Sequence, residues 1–286
     1  MKTCISSYSY SKLLRAGKMS YFDIIEKTKE LGFDAIEFSI GDELEGGRET
    51  VAKLRDKCAE VGLPIASYTT GANFLVADQA AEVARVKEHV DRAEILGAPC
   101  LRHDIGWGFY EGYTGVKTFD AIVPYVAKGI REVTEYAASK GIRTMSENHG
   151  YFAQDADRLI KVFTEVGNPN YGWLCDIGNF VCADEDPAIS VGKLAPLCFH
   201  VHCKDMFLRS GMLPDPGRGW GRSRAGNYYR CTIFGHGNVP TFQCLQNLKR
   251  NGYDGYISLE FEGIEDVLMS IEIAKENMDR YISMIG

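Results

Sequence analysis

The chain repeats one pattern of hydrophobic and polar positions: a stretch of helical period, a glycine, a residue or two, and then a short apolar run. Gly32 precedes such a run at Ala35–Phe38, and Gly62 precedes another at Ile65–Tyr68. Glycine is typical after the last turn of a helix because it adopts positive φ without a Cβ clash. The pattern therefore predicts helices joined to strands by short links. It recurs after Gly97, Gly141 and Gly252.

Three further apolar runs of strand length bring the predicted strands to eight. They lie near Thr3–Ser7, Tyr171–Cys175 and Leu197–Val201. Hydrophobic positions of helical period fall between the strands and after the last one. The predicted helices are Tyr21–Leu31, Glu49–Val61, Asp78–Leu96, Phe119–Lys140, Ala156–Val166, Asp186–Leu194, Thr241–Arg250 and Ile264–Ile285.

Two helix starts carry recognisable end signals. Ser20 with Asp23 resembles a capping box, and Pro240 stands where the first residue of the helix Thr241–Arg250 is expected. Eight strands alternating with eight helices predict an α/β fold, a single (β/α)8 TIM barrel forming one domain over 1–286. A doubly wound open sheet is the alternative, but the glycine-rich phosphate fingerprint after the first strand is missing.

Composition and charge restrict the partners. The 286 residues are 45% hydrophobic and 25% charged, with a formal net charge of −7, so we expect neither nucleic acid nor membrane as a partner. We also expect no signal peptide, and no apolar run approaches the roughly 18 residues that cross a bilayer. Nine cysteines without a Cys-x-x-Cys pair favour free thiols and a cytoplasmic location. The sequence leaves open whether the chain forms a homo-oligomer.

Four of the predicted strands end in side chains that bind divalent metals. These residues are Glu147, Asp176, His202 and Glu260, on the fifth to eighth strands. Because the carboxyl ends of barrel strands form the active-site face, we expect the four side chains to converge on one metal ion. Three carboxylates and one imidazole favour Mn²⁺, with Mg²⁺, Co²⁺ or Zn²⁺ as further options.

A metal of this kind leaves room for two adjacent oxygens of a sugar or keto-sugar. Chelation acidifies the carbon-bound proton between them and stabilises an enediolate. Glu147 and Glu260 are then the candidate acid/base pair, one abstracting the proton and the other returning it. Two alternatives remain at this point: a metal-free retaining glycosidase that uses the same two glutamates, and a non-catalytic sugar-binding subunit.

The motifs around these residues resemble a known family. Glu147-Asn-His-Gly, Asp176-Ile-Gly-Asn, His200-Val-His202-Cys-Lys-Asp and Glu260 are similar to the xylose-isomerase-like barrels grouped as sugar phosphate isomerases/epimerases. That group includes ketose 3-epimerases, inosose-processing enzymes, hydroxypyruvate isomerase and endonuclease IV-type apurinic endonucleases. The resemblance implies a metal-dependent isomerase or epimerase with Glu147, Asp176, His202 and Glu260 as metal ligands, and with Glu147 and Glu260 as acid/base pair.

The chain departs from two members of this group. Ketose 3-epimerases usually have a histidine where this chain has Asn179, and a substrate-contacting glutamate where it has Ala153. Endonuclease IV-type enzymes need the same histidine and a later Asp-x-His pair, so we do not expect an apurinic endonuclease.

A long basic loop is predicted at about 204–236, between the last two strands. Over Lys204–Arg230 it carries six basic and two acidic residues, a balance of +4. The loop is therefore a candidate lid, or a reader of an anionic group on a small sugar or sugar derivative. The predicted substrate-binding residues are His103, His149, Asn179, Lys204 and Arg209.

Overall fold

The computed structural model describes residues 1–286 and contains a closed barrel of eight parallel strands. The barrel strands are β1 Lys2–Ser6, β2 Ala35–Ser39, β3 Ile65–Thr69, β4 Cys100–Arg102, β5 Arg143–Glu147, β6 Tyr171–Asp176, β7 Cys198–Cys203 and β11 Tyr256–Leu259. Three further strands lie outside the barrel: β8 Asp205–Arg209, β9 Gly221–Arg222 and β10 Tyr228–Thr232. Around the ring the order is β1, β11, β7, β6, β5, β4, β3 and β2, so the last strand pairs with the first. The predicted (β/α)8 fold is confirmed.

Nine helices surround the barrel, and all eight predicted helices are among them. The addition is α1, a short helix after the first strand. No helix has the length and the apolar character needed to span a membrane. The helices are α1 Ser11–Arg15, α2 Tyr21–Glu30, α3 Gly47–Val61, α4 Gln79–Leu96, α5 Phe119–Ser139, α6 Ala156–Val166, α7 Pro187–Leu194, α8 Thr241–Arg250 and α9 Val267–Ile285.

The helix ends follow the sequence signals with one exception. Ser20 and Asp23 form the predicted capping box at the start of α2. Gly62 and Gly97 end α3 and α4 with φ of 65° and 77°, a conformation that glycine adopts without strain. Pro240 is the residue before α8, with φ −74° and ψ 56°, and the prediction that it is the first helical residue is wrong.

The two faces of the barrel strands differ in polarity, and this difference positions the site. Ile36 and Phe38 of β2 and Val201 of β7 belong to the main hydrophobic cluster, which contains 63 buried residues. Side chains alternate along a strand, so Glu37 and His202 point to the other face, inside the barrel. The apolar core thus lies mainly between strands and helices, while the barrel interior near this end is polar.

The stretch predicted as a basic loop contains a small antiparallel sheet joined by turns. Its three strands follow the order β8, β10, β9, and Tyr228 of β10 pairs with Arg209 of β8. Three of its arginines have aromatic or acidic partners. Arg230 lies over the rings of Phe207 and Trp220. Arg222 pairs with Asp215, and Arg224 pairs with Asp155. The glycines and charges indicated a loop, but cross-strand pairing orders the chain instead.

Candidate metal centre

The four candidate ligands meet at the carboxyl ends of the barrel strands. Glu147 and Asp176 are the last residues of β5 and β6, His202 lies in β7, and Glu260 follows β11 directly. One ligand atom from each lies within 4.8 Å of the others. The side chains of Asp176 and His202 are fully buried, that of Glu147 is 3% exposed, and that of Glu260 is 10% exposed. This buried acidic cluster could hold a divalent metal ion.

Two buried polar atoms of the cluster test whether a cation fits. Both atoms, Asp176 Oδ2 and His202 Nδ1, are inaccessible to solvent. His202 Nδ1 has no hydrogen-bond partner in the protein, and Asp176 Oδ2 has only the ion pair with Lys204 Nζ at 3.0 Å. A buried polar atom without a partner is rare, and a bound ion is one ordinary explanation. Burial, together with the negative charges of Glu147 and Glu260, raises the pKa of Asp176 to about 7 despite the opposing effect of Lys204. A cation would satisfy both atoms and relieve this repulsion, so the residues fit a divalent metal.

Lys204 lies inside the cluster. Its ammonium group is 2.6 Å from Glu260 Oε2, 2.7 Å from Glu262 Oε1 and 3.0 Å from Asp176 Oδ2. Burial disfavours the charged amine, but the three carboxylates outweigh burial and raise its pKa well above the usual value. Lys204 is therefore a cation at neutral pH. It lines the cavity, as a residue predicted to bind substrate should.

The carboxylate of Glu147 is held on both of its oxygens. Asn179 Nδ2 donates a hydrogen bond of 2.7 Å to Oε1, and Arg102 Nη2 lies 2.6 Å from Oε2. The same arginine nitrogen is 2.8 Å from Asp104 Oδ1. Asn179 is thus a neighbour of the predicted acid/base group. Sequence reasoning did not include Arg102, although an arginine ending an apolar strand is a detectable signal.

The two predicted substrate-binding histidines occupy different surroundings. His149 lines the cavity, and its Nδ1 lies 2.9 Å from Asp104 Oδ1. Burial lowers the pKa of His149, but the bond to Asp104 outweighs it, and the net shift is upward. His103 is fully buried between Phe74 and Tyr171 and does not line the cavity. Burial lowers its pKa to about 4. Its surroundings favour a packing role.

Arg209 lies away from the four candidate ligands. It ends β8 and lines a separate cavity with Asp184 and Asn238, beside the antiparallel sheet. Arg209 is absent from the lining of the cavity that contains Glu147 and Glu260. The structure therefore does not bring Arg209 together with the other predicted site residues.

Two further residues, Glu37 and His200, form a buried cluster with His202 and were not predicted as site residues. Glu37 Oε1 lies 2.8 Å from His202 Nε2, and Glu37 Oε2 lies 2.7 Å from His200 Nε2. The available signal was a single glutamate inside the apolar run of β2. Its partner is 165 positions away along the chain, and no local pattern connects them.

The cavity at this end of the barrel is small and polar. Its volume is about 140 Å³. Glu147 and Glu260 both line it, together with Lys204, so the candidate acid/base pair faces the same space. Such a cavity suits a compact polar molecule. The lining residues are Tyr8, Ser39, Thr69, Arg102, Glu147, His149, Lys204, Glu260 and Glu262.

Residues 25–284 match the family described as xylose isomerase-like TIM barrel. The chain belongs to this family. A curated relative, the uncharacterized protein MJ1311 of Methanocaldococcus jannaschii, is 29% identical over 157 residues, which are 52% of this chain and 47% of that protein. The chain therefore spans about half the length of the curated relative that it matches.

Solved structures share the fold over nearly the whole chain. A D-tagatose 3-epimerase-like protein is 22% identical with a TM-score of 0.72, covering 100% of both chains. A D-allulose 3-epimerase from Methylomonas sp. is 19% identical with a TM-score of 0.73, covering 98% of each. A xylose isomerase-like TIM barrel protein from Mycobacterium smegmatis, in complex with magnesium, is 18% identical with a TM-score of 0.71, covering 100% of this chain and 98% of the other.

Proposed function

We propose that the protein is a divalent-metal-dependent isomerase or epimerase of a small sugar, keto-sugar or sugar derivative. The observation that carries the proposal is the convergence of Glu147, Asp176, His202 and Glu260 on one point that borders a small polar cavity. Membership of the xylose isomerase-like family supports it. The likeness to proteins named as a D-tagatose 3-epimerase-like protein and a D-allulose 3-epimerase favours a ketose.

The side chains around the cavity suit proton transfer at carbon. When bound, the metal would polarise a carbonyl and its neighbouring hydroxyl. Glu147 would remove the carbon-bound proton, since Arg102 and Asn179 hold its carboxylate in a fixed orientation. Glu260, which borders the same cavity, would return the proton from the other side. Lys204 lies 2.6 Å from Glu260 and would balance the charge on that carboxylate.

The pairing of the cavity cations favours an uncharged substrate. Arg102 is shared by Glu147 and Asp104, and Lys204 is shared by three carboxylates. Neither is free to bind a phosphate or a carboxylate group of the substrate. The expectation of an anionic group came from the basic stretch, where Arg222, Arg224 and Arg230 pair with acidic residues of the protein. We therefore infer that a neutral ketose is preferred over its phosphate ester.

A retaining glycosidase remains the second candidate, because ligand oxygens of Glu147 and Glu260 lie within 4.8 Å of each other. Retaining enzymes hold their two carboxyl groups about 5–5.5 Å apart. That mechanism needs no metal and gives no role to His202 Nδ1, a buried atom without a hydrogen-bond partner. The metal-dependent reaction is favoured for this reason.

Deuterium uptake from heavy water tests the proposal. The protein is stripped with a chelator, reloaded with Mn²⁺, and incubated with neutral ketoses and their phosphates. We expect a carbon-bound deuterium in at least one neutral ketose, only with metal, and a loss of at least about a hundredfold in Glu147→Gln because the base is removed. Glu276→Gln, exposed on α9, is the matched control. A stripped enzyme with full activity would exclude the metal-dependent reaction.

A further inference from the structure

Glu37, His200 and His202 form a buried contact inside the barrel, beneath the candidate metal ligands. The side chains of Glu37 and His202 are fully buried, and that of His200 is 4% exposed. His202 Nε2 lies 2.8 Å from Glu37 Oε1, and His200 Nε2 lies 2.7 Å from Oε2. A buried carboxylate needs polar partners, and the two imidazoles lie against its two oxygens.

The barrel makes room for this contact across its interior. Glu37 lies on β2 and the histidines lie on β7, with β1 and β11 between them. The neighbours of Glu37 in register are Ser6 and Ser67, and the neighbour of His202 on β11 is Ser258. These short side chains leave space for one glutamate to reach the opposite wall. A contact between neighbouring strands would not need this space.

The chemistry of the contact determines which nitrogen of His202 carries its proton. An ionised carboxylate accepts hydrogen bonds and donates none. In the neutral imidazole the proton is therefore held on Nε2, facing Glu37, and the lone pair is left on Nδ1. His202 Nδ1 is the buried atom with no hydrogen-bond partner, and it lies 3.5 Å from Glu260 Oε2, on the side of the other ligands.

We propose that Glu37 is a positioning residue of the metal centre: it fixes the ring and the tautomer of His202 so that Nδ1 is presented to the cation. A carboxylate bonded to the far nitrogen of a ligand histidine also makes the ligand more basic, and such partners change metal affinity by about 10–100-fold. The inference depends on the metal centre of the proposed function, but not on the reaction or the substrate.

Metal affinity provides the first test, with Mn²⁺ titrated into the stripped protein and free Mn²⁺ measured by electron paramagnetic resonance. Glutamine at position 37 keeps the shape but replaces one acceptor with a donor and removes the charge. We expect Glu37→Gln to bind Mn²⁺ at least about tenfold more weakly. The control Glu276→Gln, which makes the same change on the exposed side of α9, should bind within about threefold of the wild type. Equal affinities of Glu37→Gln and wild type would overturn the proposal.

The tautomer provides a second test that needs no variant. Nitrogen-15 NMR of the histidines is recorded on the wild-type protein loaded with diamagnetic Mg²⁺. We expect His202 to carry its proton on Nε2 with Nδ1 as the ligand nitrogen, and a proton on Nδ1 would overturn the proposal even if Glu37→Gln does not fold. Wild-type protein that binds neither ion would remove both this inference and the proposed function. Protein that binds metal as expected, but exchanges no deuterium, would remove the proposed function alone.

Discussion

His103 illustrates how burial decides the behaviour of a single residue. The sequence places it at the tip of β4, where a histidine can reach substrate, but the ring lies between Phe74 and Tyr171 with no exposed surface. Its Nδ1 lies 2.9 Å from the carbonyl oxygen of Asp104. Burial lowers the pKa of His103 to about 4, because the charged imidazole is disfavoured away from water.

His103 therefore makes folding sensitive to acid. Its pKa is lower in the folded chain than in the unfolded chain, so the unfolded state binds more protons below about pH 6.5 and stability is lost as the pH falls. Between pH 7 and pH 5 the loss from this residue is about 2 kcal/mol. His103→Phe, which keeps the aromatic packing, should lose about that much less. Urea unfolding at the two pH values measures this loss. An equal change in the free energy of unfolding for variant and wild type would contradict the prediction.

Arg102 is a site residue that the sequence pattern did not indicate. It ends a strand of three residues, and an arginine there reads equally well as the start of a loop. The structure buries it against Glu147 and Asp104, and a buried guanidinium is compatible with stability only when it is paired in this way. The identity of the partners depends on distances between β4 and β5, which residue types alone do not specify.

Among the elements, the antiparallel sheet β8–β10 differs most from the sequence prediction. Glycines and arginines suggested a pliable lid, whereas five residue pairs join β8 to β10. Asp205, the first residue of β8, accepts hydrogen bonds from the backbone N–H groups of Met206, Gly235, Gly237 and Val239. One carboxylate thus ties this sheet to the chain leading into α8.

Removing the charge of Asp205 should loosen this connection. Asn at this position offers one acceptor oxygen in place of two, so several backbone donors lose their partner. We expect Asp205→Asn to lower the free energy of unfolding by about 2–3 kcal/mol. Hydrogen exchange should show faster amides between 235 and 239. Asp215→Asn removes an exposed pair with Arg222 on the same stretch, and should leave the free energy of unfolding nearly unchanged.

At the scale of the whole molecule, the barrel gathers more negative than positive charge at one end. The carboxylates are Glu147, Asp176, Glu260, Glu262 and Asp104, and the paired cations are Arg102 and Lys204. With all five carboxylates ionised and the histidines neutral, five negative and two positive charges give a formal sum of −3. A divalent ion reduces this excess to −1. Because every strand of the ring must close around these charges, metal binding is expected to stabilise the entire fold.

Thermal unfolding tests this coupling. Mn²⁺ at a hundred times its dissociation constant should stabilise the folded state by about 2.7 kcal/mol, a rise of roughly 5 °C in Tm. Asp176→Asn removes a ligand and should abolish most of the rise. Asp157→Asn, at an exposed pair with Lys193, should keep it. A chelator that leaves the Tm of the protein as purified unchanged, after metal analysis shows bound ion, would contradict the coupling.

The sequence by itself determined the alternation of helices and strands, because helical period, strand length and glycine at helix ends are local properties. It also indicated the four residues at strand ends, since the barrel brings those ends together whatever the details of packing. Only the tertiary structure decided that Glu37 reaches His202 across the barrel and that Arg102 holds Glu147. It also decided that Arg209 of the basic stretch lies in a small sheet and lines a different cavity. These contacts join residues far apart in the chain, and they depend on register and space that no local pattern encodes.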